Sequence, residues 1–554
     1  NATSKLELQD IYLPYRPRRR SPAAKARAAG LDTAAQAVLT QEITPTDALA
    51  DYQVQSSITD DSGNEIEVDF SDIEKQLAGV QAIIVDEWTQ ALGLLDNLRS
   101  GFAKTASIVS SVASEEKREV GEKFKDYFEH SESLARLPNH RLLAMLRGRQ
   151  ENVLGLKIEG EDTPFIEKII SHFDVDAKAP AARREFLAEA ASSLWKDKWR
   201  PHIEHRLLTE KRLAAEADAI DVFASNLQHL LMSAPAGPKV ILGVDPGIRH
   251  GVKMAIVDAQ GHVMSDSEEK PVIATVYPFA PDNKMDEAKK VIDALLSTYN
   301  VDLVAIGNGT ASRETDAMIK EILAANDTLK AKAVIVNESG ASVYSASELA
   351  SDELANLDVS VRGAVSIARR LQDPLSELVK VDPKAIGVGQ YQHDVNQNQL
   401  ADSLDKVTQD SVNAVGVDVN TASPAILAHI AGLNRNVAQQ IVTYRKEHGA
   451  FDSREALKNV PRLGAKTFEQ AAGFLRIHNG SNPLDATGVH PESYALVDSL
   501  LAQAGKPLSE VIGNDGVLNT IDTTTLAAND DNVSVKAIIE ELAKPARDPR
   551  PEFK

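Results

Sequence analysis

The spacing of apolar side chains changes character twice along the chain. From residue 31 to 233 apolar positions recur near every 3.6 residues, most clearly over 73–95, 183–199 and 209–232, which is the period of helices that bury one face. Pro138, Pro164 and Pro180 punctuate the stretch, and His140-Arg141-Leu142-Leu143-Ala144-Met145-Leu146-Arg147-Gly148-Arg149 reads as a charged helix. A helical scaffold is therefore predicted over 1–233. Ala234-Pro235-Ala236-Gly237-Pro238 ends it, because this density of proline and glycine cannot continue a helix.

Beyond that linker the pattern turns to short buried-strand runs, Val240-Ile241-Leu242-Gly243-Val244, 252–257 and 272–276, with turn residues at 258–261. Consecutive hairpins are expected there. An amphipathic helix over 286–299, a strand at Leu303-Val304-Ala305-Ile306, a helix over 313–325 and a strand at Ala333-Val334-Ile335-Val336 follow. An antiparallel start followed by alternating helix and strand is the layout of an RNase H-like domain, placed here over 239–385 with a connecting helical segment over 386–418. From 419 to 478 the pattern is helical again, with tight turns. Residues 422–430, Gly432-Leu433-Asn434 and 437–445 form one helix-hairpin-helix, and 453–459, Pro461-Arg462-Leu463-Gly464 and 467–477 repeat it. Residues 479–554 mix Gly and Pro turns with short helices. The predicted fold class is multi-domain and mostly α, with an inserted α/β RNase H-like domain and a tandem helix-hairpin-helix domain.

Composition narrows the function classes. The chain has 554 residues and no cysteine, which excludes disulfide frameworks, thiolate metal sites and cysteine nucleophiles. No apolar run reaches the roughly 18 residues that span a bilayer, so no membrane partner is expected and the location predicted is cytoplasmic. A net charge of −21 argues against a protein coated in basic surface. Counted by segment, the charge is uneven. Residues 1–30 carry +5, concentrated around Tyr12-Leu13-Pro14-Tyr15-Arg16-Pro17-Arg18-Arg19-Arg20, and 419–478 carry +4, leaving −30 on the other 464 residues. Arg16, Arg18, Arg19 and Arg20 read either as phosphate contacts or as a solvated run on a Pro-stiffened segment.

Two carboxylates stand where RNase H-like nucleases hold metal. Asp245 follows the first strand, in Gly243-Val244-Asp245-Pro246-Gly247, and RuvC-type and YqgF-type nucleases use an Asp there to hold Mg²⁺. Glu338, after the 333–336 strand, is the second candidate and resembles the YqgF arrangement; RuvC-like enzymes instead end the preceding strand with an acid, where this chain has Gly307-Asn308-Gly309. A third acid is expected just before a small-residue helix, and Gly363-Ala364-Val365-Ser366-Ile367-Ala368 puts glycine there. The expectation is a non-catalytic domain without cofactor. The alternative is a Mg²⁺-dependent nuclease built on Asp245 and Glu338. Asp245-Pro246-Gly247 also reads as an ordinary Asx turn, and His393-Asp394 as a polar loop.

A helix-hairpin-helix aims turn amides and a helix N-terminus at a phosphate, whatever base it carries. Gly432 and Gly464 permit close backbone approach, while Asn434, Arg435, Arg462, Lys466 and Thr467 can add side-chain contacts. Such contacts set position rather than sequence preference.

These features together resemble the Tex family of bacterial transcription accessory proteins. The resemblance is carried by Tyr12-Leu13-Pro14-Tyr15, Asp126-Tyr127-Phe128-Glu129-His130, Gly307-Asn308-Gly309-Thr310-Ala311-Ser312-Arg313-Glu314-Thr315, Gly340-Ala341-Ser342-Val343-Tyr344-Ser345 and Gly416-Val417-Asp418-Val419-Asn420-Thr421-Ala422-Ser423, and it spans nearly the whole chain. It implies binding of nucleic acid, RNA in particular with DNA left open as a second ligand, and kinship with a eukaryotic elongation factor that travels with RNA polymerase. It also implies a further N-terminal helical segment and a C-terminal OB-fold RNA-binding domain, both expected to lie outside this sequence. A scaffold for RNA polymerase or the ribosome is the other reading, and a monomer is expected.

Overall fold

The computed structural model describes residues 5–12, 21–60, 62–175, 180–389, 391–524, 532–545 and 547–554, and the chain forms two compact units, 1–219 and 220–554. No helix among the described residues is long and apolar enough to cross a membrane.

The first unit is mostly helical, as expected, and carries two small sheets besides, the first an antiparallel pair of Ser57–Thr59 and Glu65–Glu67. Ser107–Val112 is the central strand of a three-stranded antiparallel sheet between Glu129–Ser133 and Leu154–Glu159. These strands are short, and Glu129–Ser133 is polar throughout, so its place is set by the ladder and not by its own pattern. The charged helix predicted over 140–149 is Asn139–Gln150. Helix Ala181–Ser193 runs through a π-helical segment, Leu194–Trp199, into Arg200–Leu231. Pro201 explains the widened turn, since its ring nitrogen carries no N–H and the ring clashes with the carbonyl four residues earlier. Trp195 sits there, stacked on Phe165 at 4.7 Å with its indole N–H donating to Asp162 at 2.8 Å.

In the second unit five strands form one sheet: β1 (Ile241–Asp245), β2 (Val252–Val257), β3 (Ile273–Val276), β4 (Leu303–Gly307) and β5 (Lys332–Val336), in spatial order β5-β4-β1-β2-β3. The pairs β1–β2 and β2–β3 are antiparallel, while β1–β4 and β4–β5 are parallel. Helices α1 (Met285–Thr298) and α2 (Ser312–Ala325) supply the crossover connections, and their Ile292, Leu296, Met318 and Ile319 pack with Leu242, Val244, Val304 and Ile306. Helix α3 (Val359–Gln372) crosses the other face of β1. Its buried small residues allow a close approach: a Cβ on Gly243 would lie 2.0 Å from the Ala364 carbonyl oxygen. The Pro-rich linker is fastened to the end of α3, where the Ala236 and Gly237 amides donate to the carbonyls of Leu371 and Gln372.

Helix α4 (Gln397–Val415), capped by Asn396, leads to the hairpins. The first pairs the short helix Pro424–Leu427 with α5 (Arg435–His448), and the second pairs a 3₁₀ turn, Glu455–Asn459, with α6 (Ala465–Ala471). The second repeat is thus shorter than the 453–477 pattern predicts. Its expected final helix gives way at Leu475–Arg476 to a parallel two-residue ladder with Val417–Asp418, which closes the pair of hairpins. The remaining segment folds around Val497, Leu500, Val511, Val535 and Leu542.

Candidate nucleic-acid interface and carboxylate site

The two hairpin turns superpose in logic but not in residue type. In each, the residue before the second helix's cap accepts no helical geometry and its amide closes the turn: Leu433 to Ile430 O at 3.0 Å and Leu463 to Val460 O at 3.2 Å. The position before it takes a left-handed backbone in both, as Gly432 (φ 84) in the first and Arg462 (φ 68) in the second. The helix cap is Asn434 in the first, its side chain accepting from Val437 N at 2.9 Å, and Gly464 in the second, with no side-chain cap. The two glycines singled out in the sequence therefore occupy different places in the turn. Gly432 serves packing between hairpins, since a Cβ there would lie 2.8 Å from Gln470 of α6, whereas one on Gly464 would meet open space.

Arg435, Arg462 and Lys466 are exposed, and none has an ion pair or side-chain hydrogen bond. Asn434 is exposed and used as a cap; Thr467 is half-buried beside Lys466. The positive charge counted over 419–478 is not all outward. Arg454 is 1% exposed and donates to the carbonyls of Leu475, Leu484, Val489 and Thr487. Arg445 donates to Val419 O and Ala422 O, and burial lowers the pKa of Arg476. Arg16, Arg18, Arg19 and Arg20 lie outside the described residues.

The carboxylates gather at the strand ends of the RNase H-like sheet. Asp245 ends β1 and Glu338 follows β5, on either side of the end of β4. Glu338 reaches inward because β4 ends in glycine: the Gly309 amide donates to its carboxylate, and its own amide donates to Asn308 Oδ1 at 3.1 Å. Burial raises the pKa of both carboxyls; Asp245 raises that of Glu338 further, opposed by Arg370, and Lys253 opposes the shift of Asp245. Gly363, where a third acid would stand, lies directly beside the pair, since its Cβ would be 3.0 Å from Asp245 Oδ2. Among the described residues no group of three or more His, Cys, Asp or Glu could hold a metal ion. The donor set does not fit the three or four acidic ligands of a two-metal site. His393 and Asp394 fall in a 3₁₀ turn, Gln392–Asp394, anchored by Gln392, which donates to Lys384 O at 2.6 Å.

Arg454 and Arg370 had no signal in the spacing of residues, since each is explained by the backbone carbonyls around it. Arg370 is buried, donating to Asn337 O and Ser339 O at 3.0 and 2.7 Å, so it braces the loop that carries Glu338.

An RNase H-like sheet followed by paired hairpins and a third helical unit defines a multi-domain protein of the YqgF and helix-hairpin-helix class. Family models match in the same order: a Tex central region-like segment over 48–223, a Tex protein YqgF-like domain over 239–372, a helix-hairpin-helix motif over 412–476 and an HHH domain over 482–550. The chain belongs to the Tex family. Protein tex of Bordetella pertussis is 45% identical across all of this chain and 69% of its own length, and the transcriptional accessory protein Tex of Neisseria gonorrhoeae is 44% identical across all of this chain and 70% of its own. S1 RNA-binding domain-containing protein 1 of Homo sapiens is 34% identical over 91% of this chain and 55% of its own length.

Proposed function

We propose that the chain binds nucleic acid, RNA and also DNA, through the phosphate backbone at its tandem hairpins and without strong sequence preference, as part of a transcription accessory role. The observation that carries this reading is the exposure of Arg435, Arg462 and Lys466 around two adjacent hairpin turns, with no acidic partner to neutralise them. Cations left unpaired on a chain of net charge −21 are placed to displace counterions from phosphates. The human relative's RNA-binding name and the Neisseria relative's transcriptional name support the same direction.

We further propose that the RNase H-like domain is non-catalytic. Asp245 and Glu338 are desolvated, which favours their protonated forms, and Gly363 leaves them without a third ligand. Anisotropy titration of labelled RNA and DNA of several sequences tests the reading. The triple variant Arg435→Gln, Arg462→Gln, Lys466→Gln should bind all of them more weakly by a similar factor; undiminished binding would overturn it. Incubation with Mg²⁺ should yield no product. Cleavage that Asp245→Asn abolishes would establish the nuclease alternative instead.

A further inference from the structure

Behind the first hairpin lies a cleft of about 530 Å³, walled by the loop after Pro374–Leu378, by α4 and by the start of α5. Its volume falls within the roughly 300–1,000 Å³ of sites that enclose small organic groups. Its apolar lining comes mainly from Val343, which is exposed, and Val379, with the fully buried Leu404 behind. On the side of Tyr344 the polar groups are already satisfied: its hydroxyl donates to Glu353, and Lys380 pairs with Glu353 and Glu377. Arg435 and Lys384 also line the cleft, together with Asp382 and Asp405, and neither cation's side chain has an ion pair or hydrogen bond. His429 lines the cleft as well, half-buried, and its ring makes no hydrogen bond. Burial lowers its pKa, with Arg435 adding to the shift and Asp405 opposing it, so the ring is neutral at pH 7 and offers one donor and one acceptor.

We infer that this cleft receives one unpaired nucleotide of a single strand held by the first hairpin, its phosphate on Arg435 and Lys384 and its base against the apolar lining and His429. The inference rests on the hairpin reading above and adds a ligand form to it. An unpaired base presents both a face to cover and edges to hydrogen-bond, which the apolar lining and neutral imidazole match. A base stacked in a duplex cannot leave its partner to enter without the added expense of unpairing.

The test compares a short single-stranded oligonucleotide carrying 2-aminopurine with its duplex, using the full chain. The single strand should bind about tenfold more tightly, the order expected for enclosing one base. Ala401→Phe, which fills the cleft, and Lys384→Gln, in its lining, should each remove most of that preference and the change in 2-aminopurine fluorescence, with duplex affinity unchanged. Lys384→Gln keeps the test sound if Ala401→Phe disturbs the fold, which a thermal melt reports. Equal affinity for the two forms, or variants that weaken both alike, would overturn the inference while leaving backbone binding standing. Loss of all binding by the unaltered chain would overturn both. A free mononucleotide bound as tightly as the strand would assign the cleft to small nucleotides and contradict the proposal.

Discussion

The carboxylate of Glu338 occupies the space that a side chain at Gly307 would need: a Cβ there would lie 2.3 Å from Glu338 Oε2. Because β4 lies between β5 and β1, a glycine at its end is what lets an acid from β5 approach Asp245 on β1. Gly307→Ala should push aside only the movable end of a side chain and lower stability by about 1–2 kcal/mol. Gly243→Ala is a different case. Its new methyl would meet the Ala364 carbonyl at 2.0 Å, a backbone atom inside a packed helix, and the loss should exceed about 3 kcal/mol. Urea unfolding of the two variants checks the order.

The carboxyl pair also predicts how stability follows pH. Burial raises both pKa values above the ordinary 3.8 of Asp and 4.5 of Glu, so the folded state holds these protons where the unfolded state has lost them. Their contribution is therefore fully present below the ordinary values and is lost as pH rises through the folded ones. Asp245→Asn removes the charge that is paid for at neutral pH. It should be more stable than the unaltered chain near pH 7, with the difference shrinking toward about pH 4, as read by urea midpoints at the two pH values.

Arg462 holds a left-handed backbone, φ 68, at the turn position that Gly432 fills in the other repeat. A non-glycine residue there is strained by about 1 kcal/mol. Arg462→Gly should therefore raise the thermal midpoint and at the same time weaken nucleic-acid binding. Opposite movement of the two readouts separates a contact residue from one retained for folding.

Arg454 ties the second hairpin to the segment that follows. Its guanidinium serves four backbone carbonyls and the Tyr494 hydroxyl, at 2.8 Å, and its amide donates to Asp485 at 3.1 Å. Arg454→Met leaves those acceptors buried and unpaired, which should lower stability by about 3–5 kcal/mol in chemical unfolding, far beyond an exposed Lys466→Met.

The sheet was legible because β1 and β4 are buried on both faces and read as unbroken apolar runs, and the hairpins because their turns repeat. The strand Glu129–Ser133 was not, since a sequence of Glu, His and Ser takes its place from neighbours on the ladder. The charge count over 419–478 overstated the basic surface of that segment. Arg445 and Arg454 turn inward to carbonyls, a choice set by where the backbone turns and invisible in residue type. The carboxylates were legible as strand ends, but the role of Gly307 in seating Glu338 required the strand order. Gly432 and Gly464 looked equivalent in sequence because both sit near a turn; a shift of two positions within it gives one to packing and the other to a helix cap.

The salt dependence of binding tests the central claim most directly. The logarithm of the association constant for a single-stranded RNA should fall linearly with the logarithm of salt concentration, each neutralised phosphate adding about 0.7 to the slope. Arg435→Gln, Arg462→Gln and Lys466→Gln should each flatten it by about that amount. A slope the three substitutions leave unchanged would place the contact elsewhere and contradict the account.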